Sequence, residues 1–560
     1  MADTANTHHE NVVQLSKAVS AGVQRSLGGM SIPDIRVAGE LTTAVVMLRS
    51  ALNAAVPFHR LPPEIMKAIF WLVPTMQYHL VGRNSQSHIV DIWERRHYAR
   101  MNELFTLMLV CRHWRDIVAA IPSFWNTINQ AHQSSRTTFL ERSREYARLV
   151  AIYHCNITAT TAQEYLGFLA PALEVLDLSN SWFFGRRILG ESVQTIQLFR
   201  GHTPRLRQLN LHHVHWFPEL QVSALTHLSV DMCRWDDFLA KVMGIIASAP
   251  GLIDLVLSAV SSTTPDVETL NTSYPDYSVS LPYLQRLHLR YVVTEEAALD
   301  AHHFTANVLP TLTNLPVTKT VTRASIAMMP VVNDHHFMMA QLTGVSDVAG
   351  ILCTPVGLRS DLAPVASILP AQQLRELWLM LVPTHEIVIM AGGDPDFFPA
   401  FVLDPDALRE TLRPMAALET LVVWSTVLPS VVEALVDHGA RASRPLCPKL
   451  SCVRVVLTRS TPAPQAEEAV SLLDAQQDIL RLARVQINYL PKYAGEKVER
   501  TEFDHHFPSI EYVTLDHTPT MEMPPVCMHE AHARWTGWKV DDDGVQIRED
   551  GELREDMYKS

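Results

Sequence analysis

A six-residue frame, Leu-x-x-Leu-x-Leu with aliphatic substitutions, returns eleven times between Leu173 and Leu515. It reads LEVLDL at Leu173, LRQLNL at Leu206, LTHLSV at Leu225, LIDLVL at Leu252 and LQRLHL at Leu284. LTNLPV at Leu312, LRELWL at Leu374, LETLVV at Leu418, LSCVRV at Leu450, LARVQI at Leu482 and IEYVTL at Ile510 follow. The starts are separated by 33, 19, 27, 32, 28, 62, 44, 32, 32 and 28 residues. Most intervals match a strand plus a helix, and the longest leaves room for a further copy near Leu342. Within one copy, Leu176 and Leu178 alternate with Val175, Asp177 and Ser179, which puts the leucines on one face of a short strand. A single strand–helix unit cannot bury that face, so neighbours must stack, and the spacing predicts a solenoid. TKTVTRASIAMMPVVNDHHF and MAGGDPDFFPAFVLDPDA read as insertions in it.

The frame resembles leucine-rich repeats over roughly residues 145–520. The implied fold class is α/β, with parallel strands on a concave face and helices outside. The slot three residues after the last frame aliphatic, Asn or Cys in the family, is Cys233 once but elsewhere Val214, Val260, Val292 or Thr458, so the expected solenoid is irregular. Residues flanking the frame on the free strand face are the candidate target-binding set: Asp177, Asn210, His212, Asp231, His288, Arg290, Trp378 and Trp424. Trp and Arg are frequent interface anchors, which singles out Trp378, Trp424 and Arg290; the alternative is that the two tryptophans are covered by a loop or by the tail.

A second organised stretch runs from His59 to Ile128. HRLPPEIMKAIFWLV carries Ile65, Ile69, Leu72 and Val73 at helical spacing behind a Pro-Pro entry. LFTLMLVCRHWRDIVAAIPSFWNTI places Leu107, Val110, Cys111, Trp114, Ile117, Val118 and Ile121 at the same period, ended by Pro122. Two short amphipathic helices are too small to bury a core alone. The order Leu-Pro-Pro-Glu, Ile-Phe, Val-Cys-Arg-x-Trp-Arg closely resembles an F-box, with Pro74 to Asn102 as an insertion. By that resemblance Leu61, Pro62, Ile65, Ile69, Phe70, Leu107, Val110, Trp114 and Ile117 are the candidate adaptor-binding residues. Some of them must instead close the helices on one another.

Composition narrows the function class. A formal charge of −13 without a long basic strip argues against nucleic acid as partner. Seven scattered cysteines suit free thiols in a reducing compartment rather than a disulfide framework. MADTANTHHENVVQLSK lacks the pattern of a secretory signal, and no apolar run is long enough to span a bilayer, so the expected location is cytoplasmic or nuclear, off the membrane. The 26 histidines include pairs at 212–213 and 505–506, but Cys447 and Cys452 have no partner pair at zinc-ligand spacing, so no metal is assigned. No G-x-S-x-G, GxxxxGK[ST] or HExxH motif occurs, and neither catalytic residue nor cofactor is expected.

The chain therefore divides into a helical lead-in (1–57), an F-box-like domain (58–130), a repeat region (131–520) and a C-terminal segment (521–560) with a possible WKV-DDDG-VQI hairpin and an acidic tail. An F-box followed by such repeats resembles the expanded families of mushroom-forming fungi. The resemblance implies the substrate receptor of a Skp-cullin-F-box type ubiquitin ligase, docked on a Skp-type adaptor and, through it, cullin. The alternative is a repeat scaffold whose F-box-like hairpin only caps the solenoid.

Overall fold

The computed structural model describes residues 56–76, 105–121, 124–125, 148–152, 158–180, 194–231, 233, 235, 238–258, 281–290, 315–330, 338–358, 369–381, 403–437, 444–457, 462–489, 504–515, 519–528, 539–540 and 546–547, with a few positions (14, 17, 18, 21, 43–48 and 52) before them. They form two compact units, one holding the described residues up to Trp125 and the other those from Arg148 onward.

In the first unit, Pro63 opens helix α1 (Pro63–Met76), where a missing N–H costs nothing. The Pro62 carbonyl accepts from the N–H groups of Ile65 and Met66 at 3.0 and 3.1 Å. A short helix α2 covers 105–110, and α3 spans Arg112–Ala120. The periodicity from Leu107 to Ile121 suggests one helix, but the chain breaks at Cys111. That residue is extended and caps α3, its Sγ accepting the Trp114 N–H at 3.5 Å. The insertion expected at 74–102 lies almost wholly outside the described residues.

The second unit is mixed α/β. Its main sheet has fourteen strands: β1 (Leu149–Ile152), β2 (Val175–Ser179), β3 (Gln208–His212), β4 (His227–Asp231), β5 (Asp254–Ser258), β6 (Arg286–Arg290), β7 (Arg323–Pro330), β8 (Met338–Val345), β9 (Gly350–Leu358), β10 (Glu376–Leu381), β11 (Thr420–Trp424), β12 (Cys452–Val456), β13 (Arg484–Tyr489) and β14 (Ile510–Thr514). Their spatial order is β1-β2-β3-β4-β5-β6-β9-β8-β7-β10-β11-β12-β13-β14, an open sheet edged by β1 and β14. All pairings are parallel except those that β8 makes with β7 and β9.

The frame aliphatics meet in register, joined by Ile351 and Ala324 from outside the frames. Leu176, Leu209, Leu228, Leu255, Leu287 and Ile351 form one row, and Ala324, Leu377, Leu421, Val453 and Val485 continue it beyond β8; all are buried. Before many strands a turn recurs that the frame does not include. The N–H of Leu173, Leu206, Leu225, Leu252, Leu284, Leu418 or Leu450 donates to the carbonyl three residues back. Five of these turns carry Pro at the second position: Pro171, Pro204, Pro250, Pro282 and Pro448. Proline pre-sets the φ that this position of a turn needs, so each strand is entered at a fixed angle. Helices between strands are capped locally. Asp404 accepts from Asp406 N–H at 3.0 Å ahead of Pro405–Leu412, and Thr158 from Thr161 N–H at 3.2 Å ahead of Ala159–Leu166.

Two expectations change between β6 and β10. LTNLPV is not a strand where it is described, since Leu315 caps a helical turn, Pro316–Lys319, and the strand begins at Arg323. Proline at the head of the turn suits a helix start and would remove a ladder donor from a strand. The long interval does hold a strand at Leu342, but β8 runs antiparallel inside a three-strand inset whose spatial order is reversed. TKTVTRASIAMM is thus largely sheet (β7) rather than a looped insertion. MAGGDPDFFPAFV falls outside the described residues up to 402. Near the C-terminal end, Lys539–Val540 pairs antiparallel with Gln546–Ile547, and the acidic tail after 547 lies outside the described residues.

Leu421 sits fully buried in the row on a central strand. Leu421→Ala is expected to lower unfolding free energy by about 2–5 kcal/mol, read as a drop in the urea midpoint at unchanged slope.

Candidate interaction surfaces

The candidate adaptor residues separate into two groups. Phe70, Leu107 and Ile117 are buried within the first unit, together with Met66, Val118, Phe124 and Trp125. Trp114 lies against the rings of Phe58 and Phe70, with centroids 5.3 and 4.9 Å away. The Trp125 indole N–H donates to the Val118 carbonyl at 2.9 Å. Pro62 is exposed, Leu61 and Ile69 are half-buried, and Ile65 and Val110 each keep 49% of their surface in water. Helix α1 therefore carries two apolar stripes one residue apart. Met66 and Phe70 are buried in the unit's own core, while on the adjacent stripe Ile65 is exposed and Ile69 half-buried. Leu109, absent from the candidate set, is 78% exposed. Its signal in the sequence was an apolar residue off the Leu107–Ile117 stripe.

Residues 58–131 match the family model described as F-box-like. The chain carries an F-box-like domain. A comparison of the whole chain with curated proteins finds no match.

Beyond the F-box-like domain, the free-face candidates sit differently from expectation. Asp177, Asn210, His288, Trp378 and Trp424 are on the sheet face opposite the frame aliphatics, but all five are buried, Asn210 to 1% exposure. His212 and Asp231 are half-buried, and the Arg290 side chain is outside the described set. Among the described residues much of this sheet face is therefore covered rather than free. One reason is row packing. Neighbouring strands stand about 4.8 Å apart, so short side chains in one row stand shoulder to shoulder. Ala151, Asp177, Asn210, Ser229, Val256, His288 and Leu352 form such a row. A second cover is the chain's own segment near Cys527, packed on Leu352.

Several polar residues on this face pair across strands, while Arg454 Nε and Asn488 Oδ1 are buried without a hydrogen bond. Asn210 donates to Asp177 at 3.3 Å, and His212 meets the Ser179 hydroxyl at 3.1 Å and the Asp231 carboxylate at 3.3 Å. The strongest cluster crosses β4, β5 and β6. Arg286 donates from Nε and Nη2 to the two Asp254 oxygens at 2.5 and 2.7 Å, and His227 Nε2 lies 2.9 Å from the same carboxylate. Burial pushes the Asp254 carboxyl up, but hydrogen bonds and charge from Arg286 and His227 outweigh it and hold the group below the usual carboxylate range. Trp378 donates to Glu376 at 2.6 Å.

None of the described cysteines forms a disulfide. Burial pushes the thiols of Cys353, Cys447 and Cys527 up to about 12, which suppresses the thiolate and with it nucleophilic or ligating chemistry. Among the described residues no cluster of three metal-ligating side chains occurs, and no helix is long and apolar enough to cross a membrane.

Removing Asp254 leaves the buried Arg286 charge uncompensated, so Asp254→Asn is expected to cost about 3–5 kcal/mol near neutral pH. Because the folded pKa is lowered, the wild-type contribution is full above the unfolded value, about 3.9, and fades as pH falls through the folded one. Urea melts at descending pH should therefore show the gap between wild type and variant closing only below about pH 4.

Proposed function

We propose that this protein is the substrate-recognition subunit of a Skp-cullin-F-box type ubiquitin ligase, binding a Skp-type adaptor through the F-box-like domain and a target protein through the sheet unit. The observation that carries the reading is the division of labour inside the F-box-like domain. Its helices close on Met66, Phe70, Ile117 and Val118, yet Ile65, Leu109 and Val110 remain in water. Apolar side chains left out on so small a unit suit a docking surface. The adaptor would cover them and link the chain to cullin in the cytosol or nucleus.

In this reading the sheet unit is an irregular leucine-rich-repeat solenoid. The in-register aliphatic row and the recurrent proline turn support that description, and the fixed row frees the remaining positions to vary with the target. The chain performs no covalent step. Holding a target near the transfer machinery replaces a bimolecular encounter with a pre-positioned one.

Pro62→Ala combined with Ile65→Asp tests the adaptor contact, since both residues are exposed and the change leaves the Met66–Phe70 stripe intact. Burying an aspartate where Ile65 docked is expected to cost about 3 kcal/mol or more, over a hundredfold in Kd. Co-purification of the Skp-type adaptor should be lost while the thermal transition stays in place. Wild-type protein that holds no adaptor at micromolar concentration would sink the ligase reading.

A further inference from the structure

The segment Pro519–Met528, PTMEMPPVCM, packs on the sheet face opposite the frame aliphatics. Cys527 is fully buried against Leu352 of β9, with Met523 and Val526 beside it. Glu522 reaches Arg323 of β7 at 3.7 Å. Arg323 shares one register row with Val345, Gly350 and Arg286, and the Arg286 and Asp254 charges act on the Cys527 thiol. The segment therefore crosses the reversed inset from β7 toward β6, over the middle of the fourteen-strand sheet.

Its hold does not run through the sheet ladder. Pro519, Pro524 and Pro525 have no N–H to donate, so the segment is poorly suited to join the sheet as a strand. The Glu522–Arg323 pair is mostly solvated, with the glutamate side chain 88% exposed, and such pairs contribute little. What remains is side-chain packing: Met521, Pro524 and Cys527 are buried, and Met523 and Val526 are half-buried beside Leu352.

We propose that residues 519–528 are a strap over the target seat, and that the target presents a peptide of the same chemistry: a carboxylate for Arg323 and, five residues on and within a helical turn like Pro525–Met528, a small apolar side chain for the slot beside Leu352. The inference rests on the reading that the sheet unit captures a target, and it names where capture occurs and what must move first. A tethered strap competes at roughly millimolar effective concentration, so an incoming peptide meets a closed seat.

The test uses the full-length chain and a fluorescein-labelled peptide of its own residues 517–530, read by anisotropy. Met523→Asp combined with Val526→Asp in the chain unseats the strap, and peptide affinity is expected to rise at least tenfold over wild type. Glu522→Arg in the peptide sets two cations against each other and should weaken binding to the variant measurably, and adding Arg323→Glu to the chain should reverse that loss. Equal affinity for wild type and variant, no binding to the folded variant, or failure of the charge swap overturns the proposal. A variant that no longer melts cooperatively marks the segment as fixed core and overturns it too. Hydrogen exchange on wild type is the second measurement: strap amides should exchange at least a hundredfold faster than those of β9, and equally slow exchange refutes an opening strap. Neither readout involves the adaptor, so failure here and failure of co-purification are separate results.

Discussion

The whole second unit depends on one register constraint: strand after strand must present its frame aliphatic to the same row. Side chains alternate with period two, so a slip of one residue in any strand would turn its aliphatics to the other face. Leu176 through Ile351 and Ala324 through Val485 show how little freedom this leaves inside strands. Freedom lies in the connections, whose lengths vary from copy to copy. The antiparallel β8 obeys the same rule at a cost in size. Its row position is Gly344, where an added Cβ would stand 3.1 Å from Val321 Cγ1 and 3.5 Å from Leu369 Cδ2. A side chain there would press on both Val321 methyls, which would have to give by a few tenths of an ångström.

The opposite face follows different physics. A hydrophobic row gains by burial alone, whereas each buried polar group must find a partner or lose the hydrogen bonds water gave it. The in-register strands supply some of these partners, because equivalent positions on adjacent strands are neighbours, although Asn210 Oδ1, Arg454 Nε and Asn488 Oδ1 are buried without a hydrogen bond. Asp254 with Arg286 and His227, and Asn210 with Asp177, are products of that adjacency. A bidentate pair recovers more of the desolvation loss than a single contact does, which is why Arg rather than Lys is suited to the place beside Asp254. The consequence for recognition is that these side chains are already engaged. A partner meeting this face competes with existing contacts.

The strand positions were legible in the sequence because burial on one face leaves a period-two record, and Leu173, Leu206 or Leu418 could be placed from spacing alone. The turn before five of the strands also leaves a mark, in the prolines at 171, 204, 250, 282 and 448, but it lies upstream of the frame and outside the pattern read from spacing. The inset was not legible. RASIAMMP and MMAQLTGV carry no Leu-x-x-Leu-x-Leu, and the order in which three strands enter a sheet leaves no mark on local periodicity. Nor was the covered state of the opposite face, since Leu352 is shielded by Cys527, far downstream in the chain. Alternation says which face a residue takes and nothing about what lies over it.

In the F-box-like domain the limit of the sequence was a single residue of phase. Leu107, Val110, Cys111, Trp114 and Ile117 continue one helical stripe on paper, and an unbroken helix would send Val110 inward with Leu107 and Ile117. Cys111 breaks that continuity. Its backbone takes φ −162° and ψ 169°, and its sulfur accepts the Trp114 N–H. A thiol is a weak acceptor, but here it answers a donor that the first turn of α3 would otherwise leave without a helical partner. The break lets Leu107 close on the core while Leu109 and Val110 stay outside. The same local event that starts α3 thus separates the apolar residues that hold the domain together from those that are left for something else to cover.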